Sequence, residues 1–238
     1  MSEHCLLCHR RYGQRMSWRH LLMLKQTDVL CHECRRSFAL IAGDLCECCG
    51  RPFDRVDESY RQGELCADCV RWKHDNAWRG VLTKNRSVYV YDAFMKEVIA
   101  RWKFRGDYAL VEAFRTDMCR EFFCHFPRDS LLVPIPLSSA RLYERGFNQA
   151  KALAELLGCP ILDALERFDS AKQSKKSRHE RLETDRVFHL RSDVSLPAGA
   201  SFVLIDDIYT TGTTVRHAAR MLREAGAAAV SSFTLARS

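Results

Sequence analysis

Apolar and polar side chains alternate with a two-residue period over residues 86–91, as they do along a half-buried strand, and the rhythm then changes. Residues 93–104 and 107–123 carry apolar side chains at three- and four-residue spacing, which predicts two helices. Leu131 to Ile135 is an apolar run of strand length, and a helical stretch follows from about Arg145 to Leu157, ended by Gly158. Phe202 to Ile205 predicts a further buried strand. Val215, Ala218, Ala219 and Leu222 then recur at helical spacing, so a helix is expected over 213–225 with its stop at Gly226, before a last strand over 230–235. Strands alternating with helices in this order predict an α/β fold on a mainly parallel sheet, whose ligands bind beyond the carboxyl ends of the strands.

The segment before residue 70 is different in kind: it holds nine of the twelve cysteines and few large apolar clusters. Cys5 and Cys8, Cys31 and Cys34, Cys46 and Cys49, and Cys66 and Cys69 form four Cys-x2-Cys pairs. Two thiolates three positions apart grip one metal ion, and two such knuckles close a tetrahedral shell, so the spacing predicts two structural zinc sites. Spacing allows sequential or interleaved pairing, and the sequential form is favoured. Cys48 lies inside the third knuckle as a rival to Cys49, but the regular spacing of the others favours Cys46 with Cys49. His4, His9, His32 and His74 lie near these ligands and read as exposed polar residues. A segment so short and so poor in apolar clusters needs metal to fold, and paired cysteines in a reducing compartment argue for metal over disulfides. Cysteines stop and polarity rises between 70 and 85, which places a metal-binding domain over 1–75 and the α/β domain over 85–238.

The chemistry concentrates where the apolar run 202–205 meets Asp206 and Asp207 and then a loop of small residues, Thr210, Thr211, Gly212, Thr213 and Thr214. A loop between a strand end and a helix start offers unpartnered backbone N–H groups to an anion, with the helix dipole in favour. Gly212 permits close approach, and the threonine hydroxyls add donors. Two adjacent carboxylates would repel a phosphate but suit the vicinal hydroxyls of a ribose, or a bound magnesium ion. The stretch resembles the phosphoribosyl-pyrophosphate (PRPP) motif of type I phosphoribosyltransferases. No Gly-rich loop ending in Gly-Lys-Ser or Gly-Lys-Thr, and no strand followed by G-x-G-x-x-G, competes with it.

A second place for an anion follows the strand at 131–135, where Leu137 and Ser138 precede Arg141 and Arg145. In type I phosphoribosyltransferases a loop after an early strand binds the pyrophosphate of PRPP, and this segment resembles it in position. Val133 to Leu137, Arg141, the Arg-Gly-Phe-Asn-Gln run from Arg145 to Gln149 and the stretch from Gln173 to Arg178 together resemble the signature of the ComF family. The likeness spans nearly the whole chain. It implies a type I phosphoribosyltransferase-like sheet behind a small double zinc ribbon, with two structural zinc ions, magnesium bound with PRPP, and a place in natural transformation. Single-stranded DNA and a ComFA-like translocase are the partners it implies.

Lys172, Lys175, Lys176, Arg178 and Arg181 are joined by one acid in a polar stretch, which reads as a mobile loop able to close over the site or to contact DNA phosphates. Lys96, Arg101, Lys103 and Arg105 interleave with Trp102 and Phe104; such aromatics stack on bases in some proteins but are more often core. The net charge of +7 fits polyanion contact without requiring it. The amino terminus lacks a secretory pattern, and no window is apolar enough to span a bilayer, so a soluble, cytoplasmic protein is expected without membrane insertion. Three functions remain open: a ComF-type protein that handles incoming single-stranded DNA, a conventional phosphoribosyltransferase with a nucleobase or other small acceptor, and a zinc-ribbon nucleic-acid binder that senses a metabolite. Neither the acceptor nor turnover of PRPP can be read from the residues.

Overall fold

A computed structural model describes residues 2–13, 29–104, 107–168 and 187–238. Its centre is a four-stranded parallel sheet in the order β5 (Asn85–Val90), β10 (Ala229–Arg237), β9 (Ser201–Tyr209) and β6 (Leu131–Pro134). The mainly parallel α/β sheet expected from the apolar runs is present. Helices α3 (Ala93–Phe104), α4 (Arg115–His125) and α6 (Gln149–Leu157) pack with Val88, Ile205 and Phe233 in one core. On the other face α7 (Thr213–Glu224) buries Val215, Ala218, Ala219 and Leu222, the four positions that its periodicity marks.

Three elements differ from the expectation. The helix expected from about Arg145 to Leu157 starts later, as α6 at Gln149, where the Asn148 side chain accepts the amides of Ala150 and Lys151, and a separate helix α5 (Ser139–Arg145) precedes it and ends at Gly146, whose φ of 76° is left-handed. The stretch over 107–123 begins as a 3-10 helix, Tyr108–Phe114, before α4 takes over. Its buried residues Leu110, Val111, Ala113 and Phe114 recur every three positions, which suits a three-residue turn. Strand β9 runs on through both acids to Tyr209, because main-chain pairing of Asp206 with Thr234 and of Ile208 with Ala236 continues past the apolar run. A short antiparallel pair, β7 (Leu165–Arg167) with β8 (Phe188–Leu190), was not legible as strands.

The cysteine-rich part forms two similar units. In the first, β1 (Ser2–His4) and β2 (Arg11–Gly13) flank a knuckle, and α1 (His32–Arg36) carries Cys34. The second has β3 (Arg61–Gln62), β4 (Leu65–Cys66) and α2 (Ala67–His74). Their knuckles repeat one pattern: Cys5 N–H to Arg10 O and His9 N–H to Cys5 O in the first, Cys46 N–H to Arg51 O and Gly50 N–H to Cys46 O in the second. His9 therefore adopts the left-handed φ of 59° that Gly50 adopts at 66°.

Each unit packs on its own face of the sheet, Cys5, Leu30 and Cys31 with the α3–α4–α6 core and Cys46, Cys49, Cys66 and Cys69 with the α7 core. The chain between them crosses the outer edge of β5, where Ile41 N–H bonds Val88 O at 2.9 Å and Val90 N–H bonds Ala39 O at 2.9 Å. That pairing covers a sheet edge that would otherwise recruit other chains. Among the described residues no helix is long and apolar enough to cross a membrane.

Candidate functional site

The eight cysteines of the four knuckles gather sequentially, Cys5, Cys8, Cys31 and Cys34 in one group and Cys46, Cys49, Cys66 and Cys69 in the other, with the sulfurs of each group within 4.8 Å of one another. A tetrahedral zinc with bonds of about 2.3 Å needs sulfurs about 3.8 Å apart. Cys8 and Cys31 stand at 3.7 Å and Cys49 and Cys66 at 3.6 Å, so the donor sets fit structural zinc. Neither group includes a histidine or Cys48. The Cys48 sulfur instead lies 4.0 Å from Arg216 Nη2. His4 bonds the carbonyl of His9 through Nδ1, and His32 and His74 are exposed.

The acid pair ends β9 at the carboxyl edge of the sheet. Asp206 accepts the amide of Asp207 at 2.9 Å, and Asp207 forms an ion pair with Lys103 at the end of α3. Burial and the adjacent Asp207 push the Asp206 carboxyl up to about 8. Lys103, placed by sequence in a basic cluster, belongs to this site. Its neighbours scatter: Trp102 is fully buried, Arg101 bonds the carbonyls of Leu6 and Leu7 in the first knuckle, and Lys96 is exposed. Arg105 lies outside the described residues.

The loop 210–214 follows at once. Thr210, Thr211, Thr213 and Thr214 are exposed, and the N-cap of α7 is Gly212, with no side chain capping the helix. The Thr213 amide bonds Thr211 Oγ1 at 3.4 Å, and the positive end of the α7 dipole lies at this loop. From below, Arg216 Nη1 bonds the Tyr209 hydroxyl at 2.7 Å and Gly212 O at 3.4 Å, and Trp72 Nε1 donates to Thr211 O at 3.0 Å. A cleft of about 300 Å³ opens on the far side of the loop, lined by Cys48, Cys69, Trp72, Trp78 and Arg216.

On the other side of the acids, Ile135 N–H bonds Ile205 O at 2.9 Å and brings the segment after β6 beside β9. Leu137 and Ser138 follow, and Ser138 caps α5 by accepting the Arg141 amide. The Arg-Gly-Phe-Asn-Gln run secures this arm: Arg145 donates to Gln149 Oε1 at 2.9 Å, Phe147 packs against Trp102 and Tyr108, and Asn148 Nδ2 donates to Ile135 O at 3.0 Å. Arg141 is exposed, whereas Arg145 is half-buried against the buried Gln149. Arg167 on β7 joins them, missed from sequence because nothing near it in the chain marks it. Burial and the charge of Arg141 lower its basicity while Asp206 opposes them, which places all three in one electrostatic neighbourhood. The basic residues Lys172, Lys175, Lys176 and Arg178 lie outside the described residues.

Residues 1–70 match the double zinc ribbon domain and residues 143–238 match the phosphoribosyl transferase domain. The chain is 44% identical to competence protein ComFC of Bacillus subtilis over 98% of its own length and 95% of the relative's. It is 35% identical to competence protein ComFC of Streptococcus pneumoniae over 98% of this chain and 99% of that one. A more distant relative, the DNA utilization protein YhgH of Escherichia coli, is 27% identical over 87% of this chain and 96% of its own.

Proposed function

The chain belongs to the ComF family, and we propose that it binds PRPP with magnesium at the end of β9 and acts in the handling of single-stranded DNA during natural transformation. The competence relatives and the phosphoribosyl transferase domain support a competence role. One observation carries the ligand reading: two adjacent carboxylates at the end of β9 lead through a three-residue loop into a helix whose N-cap is a glycine. In this reading Thr210, Thr211, Gly212, Thr213 and Thr214 hold the 5′-phosphate, and Asp206 and Asp207 take the ribose hydroxyls. Leu137, Ser138, Arg141 and Arg145 receive the pyrophosphate, with Arg167 as a further cation. Magnesium, when bound, offsets phosphate charge near the acids.

The raised Asp206 acidity sets a pH dependence. Ribose hydroxyls donate to a carboxylate, so the ionised form of Asp206 binds and the protonated form does not. An acid that titrates near 8 gains its charge as pH rises, so PRPP affinity should increase up to about tenfold from pH 7 to pH 9. Calorimetry across that range checks it, and a flat profile would remove Asp206 from the hydroxyl contacts.

For DNA, the proposed contact is the basic segment with Lys172, Lys175, Lys176 and Arg178, acting beside a ComFA-like translocase in the cytoplasm. These cations offer charge without a base-reading element, so binding should be indifferent to sequence and weaken as salt rises. Replacing all four by Ala should lessen the slope of log affinity against log salt by about 3. The measurement is a salt titration of fluorescent single-stranded DNA. An identical slope removes this segment from the interface, and no binding at low salt favours a conventional phosphoribosyltransferase with a small acceptor.

A further inference from the structure

Two arginines, Arg216 and Arg237, are almost completely buried, each with 2% of its surface exposed. A buried guanidinium is costly unless its charge and its donors are met. Their hydrogen-bond partners are main-chain carbonyls, the Tyr209 hydroxyl and two sulfurs. Arg237 Nη2 lies 3.4 Å from Cys49 Sγ, while its Nη1 donates to Thr210 O at 2.9 Å and to Tyr209 O at 3.3 Å. Arg216 reaches toward Cys48 on one side and holds Tyr209 and Gly212 on the other, with its guanidinium 4.6 Å from the centre of the Trp72 ring.

Four thiolates around one zinc ion carry a net charge of about −2, and Arg237, in contact with Cys49 of that group, offsets part of it, while Arg216 meets the same knuckle through Cys48, which is not one of the four. The second cysteine group therefore supplies the counter-charge that permits Arg237 to sit beneath the loop. Trp72 adds a third link, because α2 starts at the Cys66 and Cys69 knuckle and carries in its last turn the indole that donates to Thr211 O. Every residue from Tyr209 to Gly212 is thus held by Trp72 of the second unit or by an arginine that touches Cys48 or Cys49 within it. Arg101 and Arg35 tie the first unit to α3 and α4.

We propose that the second zinc centre is a positioning element of the ligand site: through Arg237, Arg216 and Trp72 it fixes the carbonyls of 209–212 so that the N–H groups of 212–214 face a phosphate. The proposal rests on the PRPP reading for the ligand but not for the loop geometry. Coupling between two sites is reciprocal, so a ligand on the loop must also retain the metal.

The test follows zinc release from the full-length protein with a chromogenic chelator, with and without PRPP and magnesium. Two zinc ions should leave in separable phases, one slowed about tenfold by PRPP and the other unchanged. In Trp72→Phe and Arg237→Lys the zinc content should stay near two per chain, while the slowing disappears and PRPP affinity falls about tenfold. Amide exchange supplies a readout independent of PRPP. Loss of the second zinc should accelerate exchange in 209–214 and leave 131–134 unchanged, and loss of the first should not. Equal slowing of both phases, slowing that survives in the variants, or protection in 209–214 that persists without the second zinc would each overturn the proposal. If the wild type fails to bind PRPP, the ligand reading fails by itself, and the exchange experiment still decides the coupling.

Discussion

In the double variant Asp206→Asn, Asp207→Asn, PRPP affinity in the presence of magnesium should fall at least about 100-fold at pH 9, where both carboxylates are ionised, because two hydrogen bonds to charged groups, each worth about 1.5–3 kcal/mol, lose their charge. Zinc content should remain near two per chain, since neither acid belongs to the two cysteine groups. Calorimetry and metal analysis on the same sample check both halves. Unchanged affinity in a zinc-loaded, folded variant would assign the acids to structure. Asp206→Asn alone should also raise thermal stability above pH 8. The carboxyl titrates higher in the folded chain than in the unfolded one, so its ionisation opposes folding once pH exceeds its ordinary range, and Asn removes that cost. A site that is stabilised by losing its acid is one retained for ligand contact.

The second large effect is expected at Gly212. Its φ of 81° is left-handed, which costs an ordinary residue about 1–2 kcal/mol. A methyl group added there would stand 2.1 Å from the Tyr209 hydroxyl and 2.2 Å from Arg216 Nη1. Neither neighbour can yield cheaply, because the two are bonded to each other and both are buried. Gly212→Ala should therefore lower stability by about 2–4 kcal/mol and weaken PRPP binding about tenfold or more, since the carbonyl that Arg216 holds must move with the loop. Thermal unfolding and calorimetry measure the two effects. A stable variant with full affinity would show that the loop tolerates a second conformation.

The zinc knuckles and the β9–α7 loop were legible in the sequence because each is a contiguous string whose chemistry demands particular residue types at fixed spacing. Cys5 and Cys8 need one turn between them, and the acids need to precede the threonines. The length of β9 was not legible, because Asp206 and Asp207 have no strand-like polarity and are held by pairing with β10. The break at Gly146 and Asn148 was hidden inside a continuous helical rhythm. Lys103 and Arg167 join the site from elements distant in the chain, and only the fold brings them to the acids. Arg216 lies on the apolar face of α7, where a charge reads as an exception to the pattern, and its reason is visible only once the second cysteine group lies beneath the helix. Arg237 follows the last expected strand residue and carries no signal of its own.

A titration of PRPP with magnesium into the zinc-loaded wild-type protein addresses the central claim most directly. The expected result is saturable binding of one PRPP per chain, abolished by excess pyrophosphate and absent from the Asp206→Asn, Asp207→Asn variant. No saturable binding by folded, zinc-loaded protein at PRPP concentrations up to about 1 mM would contradict it, since that limit leaves less than about 4 kcal/mol for all the contacts assigned to the loop and the acids.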